Sequence, residues 1–462
     1  MPGPPSSSPG GSRPAGDFAD PGLLSAGQVS LLTDQYELAM AASYQRRGRH
    51  QEAIFEHFTR RLPANRGWLL AAGLAPTLEL IAGLRFERPE LEYLGSLGFD
   101  DEFLAYLAGF RFGGDVNALP EGTVLFADEP ILHVRASLVE AQLLETLILN
   151  QVNFQTMVAS KAARVVLAAG NGELGAGGAV VDFSPRRDHG ADAAMKVARS
   201  AAIAGCVGTS NVAAAMRYGL TPVGTMAHSY VLSFEREPEA FEAFMTDHPD
   251  NAVMLVDTYD SLEGVRNAIE ASRRTGVQLK GVRLDSGDLD GLSREARRML
   301  DDAGCASARI TASGDLDELR IAELVAAGAP IDVWGVGTEL GTSRDSPVVN
   351  GIYKLVAIGE RDGGWRGVEK LSPEKATRAG AKQVFRRTRD GRLAGDTVTS
   401  WGAEAEGEPL LVPVMRGGEV IHRESLEQVR ARAREQINGL PPELRELSAD
   451  AAAYPVEMRL DT

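Results

Sequence analysis

Residues 280–290 read KGVRLDSGDLD. Val277, Leu279 and Val282 belong to an apolar run with the pattern of a buried strand. The run ends abruptly in Arg283, Asp285, Ser286, Gly287 and Asp288. A core strand has no structural use for an arginine and two acids gathered around a glycine. The same Ser-Gly-Asp-Leu turn returns one unit later in TASGDLDE, residues 311–318.

Outward from that stretch the pattern repeats. Apolar runs ending in small or polar residues start at 179 (AVVDFSPRRDHG), 204 (AGCVGTSN), 222 (PVGTMAHS), 252 (AVMLVDTYDS), 277, 308 and 331 (IDVWGVGTELG). Helical stretches such as SLEGVRNAIEASRRTG separate most of them, at a spacing of roughly 23–31 residues, about one strand–helix unit. Seven units in series imply a parallel barrel or a doubly wound sheet. A dinucleotide-binding sheet would carry a GxGxxG turn after its first strand, and none follows AVVDF. A barrel explains the polar strand ends, because residues just past its strands converge on one face. Here they are Asp182, Arg186, Ser210, His228, Asp257, Arg283, Asp285, Asp288, Asp315 and Thr338.

The 462 residues suffice for two or three domains, and 64 acidic against 48 basic residues give a net charge of −16. Such a surface repels phosphate backbones, so no nucleic acid is expected as a partner, while a local pocket for a small phosphate stays open. Two cysteines, Cys206 and Cys305, make no disulfide framework, and the expected compartment is a reducing cytoplasm. No stretch of 18 apolar residues occurs, so no membrane span is expected. Residues 1–27 open with MPGPPSSSPGGSRPAG, lack an apolar core for a signal peptide, and read as a disordered extension. Residues 28–135 read as a mixed helix-and-strand segment, and 352–440 as antiparallel strands of a second, sheet-containing domain with hairpin turns at DGG and RDGR. Residues 136–351 read as the barrel, and 441–462 as a charged tail.

Individual motifs carry competing readings. GVGTELGTS, residues 335–343, is either a tight turn or a phosphate cradle of backbone amides. RLDSGDL is either an ion pair capping a helix or a grip on a diol, with Arg283 forked on an anion. His228 is either a core histidine with a backbone partner or a nucleophile or general base. Phe183 beside Arg186 is either core or a face for a flat anion. Together they describe a site for a diol-bearing, magnesium-linked phosphate and a flat acid.

LLTDQYELAM, DFSPRR, GTSN, GTMAHSYVLSF, VRLDSGDL and GVGTELGTS, in that order, make residues from about 30 to 440 resemble the nicotinate phosphoribosyltransferase family. The resemblance implies an irregular (β/α) barrel of the type II phosphoribosyltransferase kind, with an α/β sandwich built from N-terminal and later segments, so that 28–135 and 352–440 form one discontinuous domain. It also implies a homodimer with shared active sites. The implied reaction joins nicotinate to 5-phosphoribosyl-1-pyrophosphate, giving nicotinate mononucleotide and pyrophosphate, with ATP hydrolysis coupled through a phosphohistidine and Mg²⁺ as cofactor.

By the same resemblance, Phe183 and Tyr36 of the partner subunit would stack on the nicotinate ring, and Arg186 and Arg283 would meet substrate anions. Asp285 would hold the ribose hydroxyls, amides around Gly314, Gly337 and Thr338 the 5′-phosphate, and His228 would be the phosphorylated histidine. Arg60 or Arg61 and the basic stretch of Lys370, Ser372 and Lys375 would reach the pyrophosphate or ATP phosphates. Mg²⁺ would sit on Asp288 or on the substrate pyrophosphate. Ala379 stands where the family pattern has proline before Gly380. Ser210, at the position facing the ring substituent, speaks against a nicotinamide-specific relative on the same fold. A quinolinate enzyme would want more cations and lacks the ATP-coupled histidine, and a non-catalytic barrel would not need Arg283, Asp285 and His228 together.

Overall fold

The computed structural model describes Leu24, residues 27–170, 172–359, 363–370, 378–447 and 453–460. The expected disordered extension lies almost wholly outside the described residues, as do Ser372 and Lys375. Two apolar cores organise the rest. One gathers the short β-branched runs of the repeating units, among them Val282, Leu284, Ile310, Ala312 and Val336. The other lies under a large antiparallel sheet.

The repeating units form six parallel strands in the order Gly208–Thr209, Ala179–Asp182, Val333–Val336, Arg309–Ala312, Gly281–Leu284, Val253–Leu255. The sheet curls into a half-barrel rather than closing: among the described residues its two edge strands do not pair. One of the seven expected runs therefore fails as a strand. The segment at 222 contributes a single bridge between Thr209 and Pro222. Proline has no N–H for a ladder, and Gly224 just beyond it weakens any extension.

Seven strands form the antiparallel sheet, in the order Trp365–Gly367, Gly351–Gly359, Glu52–Thr59, Pro130–Ser137, Asp115–Ala118, Val412–Arg416, Glu419–Val420. It thus joins strands from the early and late segments. A second, four-stranded sheet contains the hairpin Lys382–Arg389 and Arg392–Ser400. Asp390 and Gly391 at its RDGR turn have φ of 52° and 75°, the left-handed pair that a tight hairpin needs. The expected tail supplies a strand to this sheet: Val456–Arg459 runs parallel to Arg392–Ser400, and Tyr454 before it stacks on Phe126 at 3.7 Å. The helix Leu426–Asn438 packs Val429, Ala433 and Ile437 into the barrel core, although it falls in the segment assigned to the other domain.

The 25-residue helix Glu145–Ala169 has no single apolar stripe because both cores bury it. Leu147, Ile148 and Val152 belong to the sheet core, and Val158, Ala162 and Val165 to the barrel core. No helix among the described residues is long and apolar enough to cross a membrane.

The same helix anchors a buried ion cluster behind the glycine-rich turn. Lys161 Nζ pairs with Glu318 and, at 2.9 Å, with Asp345; Arg164 Nε reaches Glu318 at 2.9 Å; Arg66 Nη1 reaches Asp345 at 2.8 Å. Burial raises the Glu318 and Asp345 carboxylates, but Lys161, Arg164 and Arg66 outweigh it and hold both below the usual range. Depressed carboxylates contribute stability that is complete at neutral pH and lost as pH falls through the native values, below about pH 4. Glu318→Gln leaves three buried cations facing one carboxylate. It should cost about 3–5 kcal/mol in urea denaturation at pH 7, and the deficit should shrink as the pH is lowered past 4. A pH-independent loss would rule out the charge as its origin.

Candidate active site

Parallel register builds the site. Leu255 pairs with Arg283, and Leu284 with Ala312, so Asp257 and Asp285, each two residues beyond the first pair, and Ser313, one beyond Ala312, form one row across three strand ends. They are stitched together by hydrogen bonds. Asp257 Oδ2 accepts from the Asp285 amide at 3.0 Å and from Ser286 Oγ at 2.7 Å. Asp285 Oδ1 accepts from Ser313 Oγ and, at 2.8 Å, from Arg283 Nη2. Arg283 Nε donates to Ser313 Oγ at 2.8 Å, and its guanidinium lies 5.2 Å from the Phe183 ring centre. Each Ser-Gly-Asp-Leu turn thus gives its serine to the aspartate of the preceding strand.

Glycines make the floor. A Cβ on Gly335 would stand 2.5 Å from the Phe183 ring, so the ring occupies the space that a side chain there would fill. Gly314, at φ +89°, brings its turn so close that a Cβ would meet the Asp285 carbonyl oxygen at 1.9 Å. Over this floor lies a cavity of about 260 Å³ lined by Phe183, Arg186, Arg283, Asp285, Gly314 and the Gly337–Thr338 turn, with Arg187, Ser313 and Glu339 beside them.

His228 opens the short helix His228–Leu232 after the segment that failed as a strand, with its side chain 41% exposed. Its Nδ1 lies 3.1 Å from Thr258 Oγ1, and its Nε2 faces Asp257 Oδ1 at 3.9 Å and Asp285 Oδ2 at 4.0 Å. Asp257 Oδ1 is buried without a hydrogen-bond partner among the described residues. Asp257 and Ser313 are the contributors that motif reading left without a role. The in-register repeat of the two turns was the signal for them.

The other expected residues are less concentrated. Ser210 follows Thr209, and its amide donates to the Asp182 carbonyl, next to Phe183, but it does not line the cavity. Asn211, not Ser210, caps the following helix, accepting from the Ala214 amide at 3.1 Å. Tyr36 sits in the first turn of the helix Gln35–Arg46, 48% exposed and outside the cavity. Burial and the neighbouring Glu145 and Glu37 carboxylates raise its phenol pKa. Arg60 and Arg61 follow the strand Glu52–Thr59, and Arg60 lies over Phe58 at 5.5 Å. Lys370 is exposed and does not line the cavity. Asp288 starts the helix Leu289–Asp302, and no cluster of three metal-ligating side chains occurs among the described residues.

A curled parallel half-barrel sheet in a mixed α/β chain of this kind is the fold of a type II phosphoribosyltransferase. Residues 31–153 match the family profile described as the nicotinate phosphoribosyltransferase N-terminal domain, and residues 179–357 match the nicotinate phosphoribosyltransferase family. The chain is similar to nicotinate phosphoribosyltransferase pncB2 of Mycobacterium tuberculosis, 49% identical over 432 residues, which cover 92% of this chain and 91% of that one. It is 46% identical to the Bacillus subtilis nicotinate phosphoribosyltransferase over 365 residues, covering 78% and 73%. The crystal structure of human nicotinic acid phosphoribosyltransferase superposes with a TM-score of 0.81 at 27% identity, covering 92% of this chain and 97% of that one. The chain belongs to the nicotinate phosphoribosyltransferase family.

The glycine floor has a direct test. Gly335→Ala should overpack the Phe183 ring and cost about 1–3 kcal/mol. In a Phe183→Ala background the same substitution should cost almost nothing, a coupling visible in a double-mutant cycle. Additive losses would mean that the ring does not rest on Gly335.

Proposed function

We propose that this enzyme transfers the 5-phosphoribosyl group of 5-phosphoribosyl-1-pyrophosphate to the ring nitrogen of nicotinate, releasing pyrophosphate in a salvage step of NAD biosynthesis. The observation that carries this reading is the state of Asp285. Arg283 and Ser313 immobilise its Oδ1, while no described residue donates to its Oδ2. A fixed anion beside the ribose stabilises positive charge developing at C1′ as pyrophosphate departs, and it needs no reorganisation at that moment. Phe183 stacks on the pyridine ring, and Arg283 and Arg186 draw its carboxylate into line for attack. The Gly314 and Gly337–Thr338 backbone takes the 5′-phosphate.

Mg²⁺ fits this site as a passenger of the pyrophosphate. The mouth offers separate carboxylates, Asp285, Asp315 and Glu339 lining the cavity and Asp257 and Asp288 at strand ends beside it. No metal-holding cluster of three occurs among the described residues, and Mg²⁺ is held in such sites by one or two carboxylates plus phosphate oxygens. When bound it would neutralise the leaving group. His228, accessible and flanked by Asp257 and Asp285, accepts the γ-phosphoryl group of ATP, which couples ATP hydrolysis to transfer. Tyr36, exposed on its own chain, completes the ring pocket of a partner subunit in a homodimer; mixing inactive Tyr36→Ala and Asp285→Ala proteins should then restore part of the activity in hybrids. The free cysteines Cys206 and Cys305 suit a cytoplasmic enzyme.

Pyrophosphate release measured in parallel with nicotinate, nicotinamide and quinolinate tests the reaction, with nicotinate strongly preferred. Ser210 should set that preference, since its side chain is not the helix cap. Ser210→Asp should lower kcat/KM for nicotinate by at least roughly a hundredfold, two anions at contact and an unpaired group each costing ~1–3 kcal/mol or more. Nicotinamide turnover should fall far less; equal losses would count against Ser210 as selector. His228→Ala should lose acid-labile protein phosphate and ATP coupling together, and retained phosphate on the variant would move the acceptor elsewhere.

A further inference from the structure

A second cavity, of about 460 Å³, lies between the seven-stranded sheet and the end of the four-stranded one. It shares no lining residue with the barrel mouth. Ile54, Asn117, His133 and Arg135 form its floor, from three neighbouring strands of the seven-stranded sheet. Trp365 and Trp401 line it at 40% and 42% exposure, whereas the other two of the four tryptophans are core side chains. Two open indoles on one cavity forgo burial that the core gives the others.

A hydrogen-bond chain fixes the chemistry at the floor. Arg416 Nη2 donates to Asn117 Oδ1 at 3.1 Å, which turns the Asn117 amide nitrogen toward His133 Nε2 at 2.7 Å. An Nε2 that accepts this bond places the ring proton on Nδ1. That Nδ1 is buried and has no hydrogen-bond partner among the described residues, in a side chain only 3% exposed. Burial, with Lys382 and Arg416 nearby, pushes the His133 pKa down to about 3, so the ring stays neutral. Trp401 meets it edge-on at 4.4 Å. Arg135 lies 5.2 Å from the Trp365 ring centre and 2.9 Å from Glu52, and Arg416 is 3.9 Å from Asp115. The cavity therefore joins two aromatic faces and two guanidinium groups, Arg135 paired with Glu52 and Arg416 near the lining carboxylate Asp115, over a neutral imidazole that keeps the floor uncharged.

We propose that this cavity is a second ligand site that takes a flat heteroaromatic ring carrying an anionic group. The ring lies against Trp365 and Trp401, and the anion meets Arg135 and Arg416. A purine nucleotide and a pyridine nucleotide share this chemistry.

Tryptophan fluorescence of the full-length protein, titrated with AMP, nicotinate mononucleotide, nicotinate and inorganic phosphate, tests the assignment. At least one nucleotide should quench saturably and phosphate alone should not, and the tighter of the two nucleotides identifies the source of the ring. Trp401→Leu should abolish most of the quench. Arg135→Gln and Arg416→Gln should each weaken binding by about tenfold or more while transfer kcat stays unchanged. Both arginine side chains are half-exposed, so these variants read binding rather than folding. Absence of saturable quenching by every probe, or unchanged affinity in Trp401→Leu and Arg416→Gln, would overturn the proposal.

Discussion

The contact on which this site depends is the fork of Arg283, which binds Ser313 with one nitrogen and Asp285 with another while lying over Phe183. Three strands meet in that side chain. Without it, Asp285 would face the mouth as a carboxylate free to rotate, and the ring of Phe183 would lose its cationic neighbour. Charge-assisted hydrogen bonds in a partly buried setting both strengthen and orient. The arrangement therefore prepares one oxygen of Asp285 by occupying the other. The same logic runs one strand back, where Asp257 is tied by Ser286 and the Asp285 amide at Oδ2 and leaves Oδ1 toward His228.

Such a site needs a frame that does not yield. The long helix Glu145–Ala169 supplies it by belonging to both cores, and its Lys161 and Arg164 reach the start of the helix Glu318–Ala326 through Glu318. Asp345, just past the glycine-rich turn, joins the same cluster through Arg66 and Lys161. The backbone around Gly314 and Gly337 is thus braced from behind by charge and from below by apolar packing. The glycines can be bare because the elements carrying them are held elsewhere.

Much of this was legible in the sequence because strand ends in a parallel sheet inherit their position from register alone. Arg186, Arg283, Asp285, Asp315 and Thr338 needed only the repeat of apolar run and polar turn to be placed on one face, and all five line the cavity. The failures have equally local causes. The run at 222 looks apolar enough for a strand, but Pro222 removes a ladder donor and leaves one bridge. Tyr454 and the strand after it read as tail because a charged segment of a few residues shows no periodicity until its neighbours are known. Pairing such as Lys161 with Glu318, 157 residues apart, has no signature in either stretch. Asn117, His133 and Trp401 are equally silent, since their meeting depends on two sheets closing over one another.

Family membership fixes the class of reaction, and the geometry is the ground on which roles for this chain's side chains are proposed. In the mechanism we propose, Asp285 acts on charge that exists only as the ribose–pyrophosphate bond breaks, so its contribution would belong to the transition state rather than to substrate binding. Steady-state kinetics of Asp285→Asn measure this most directly, because the amide keeps an oxygen for Arg283 and Ser313 while removing the charge. The expected result is a kcat lower by about 10²–10³ with the KM for 5-phosphoribosyl-1-pyrophosphate changed only a few-fold. A raised KM with kcat intact would contradict it, and would make Asp285 a ground-state binding group.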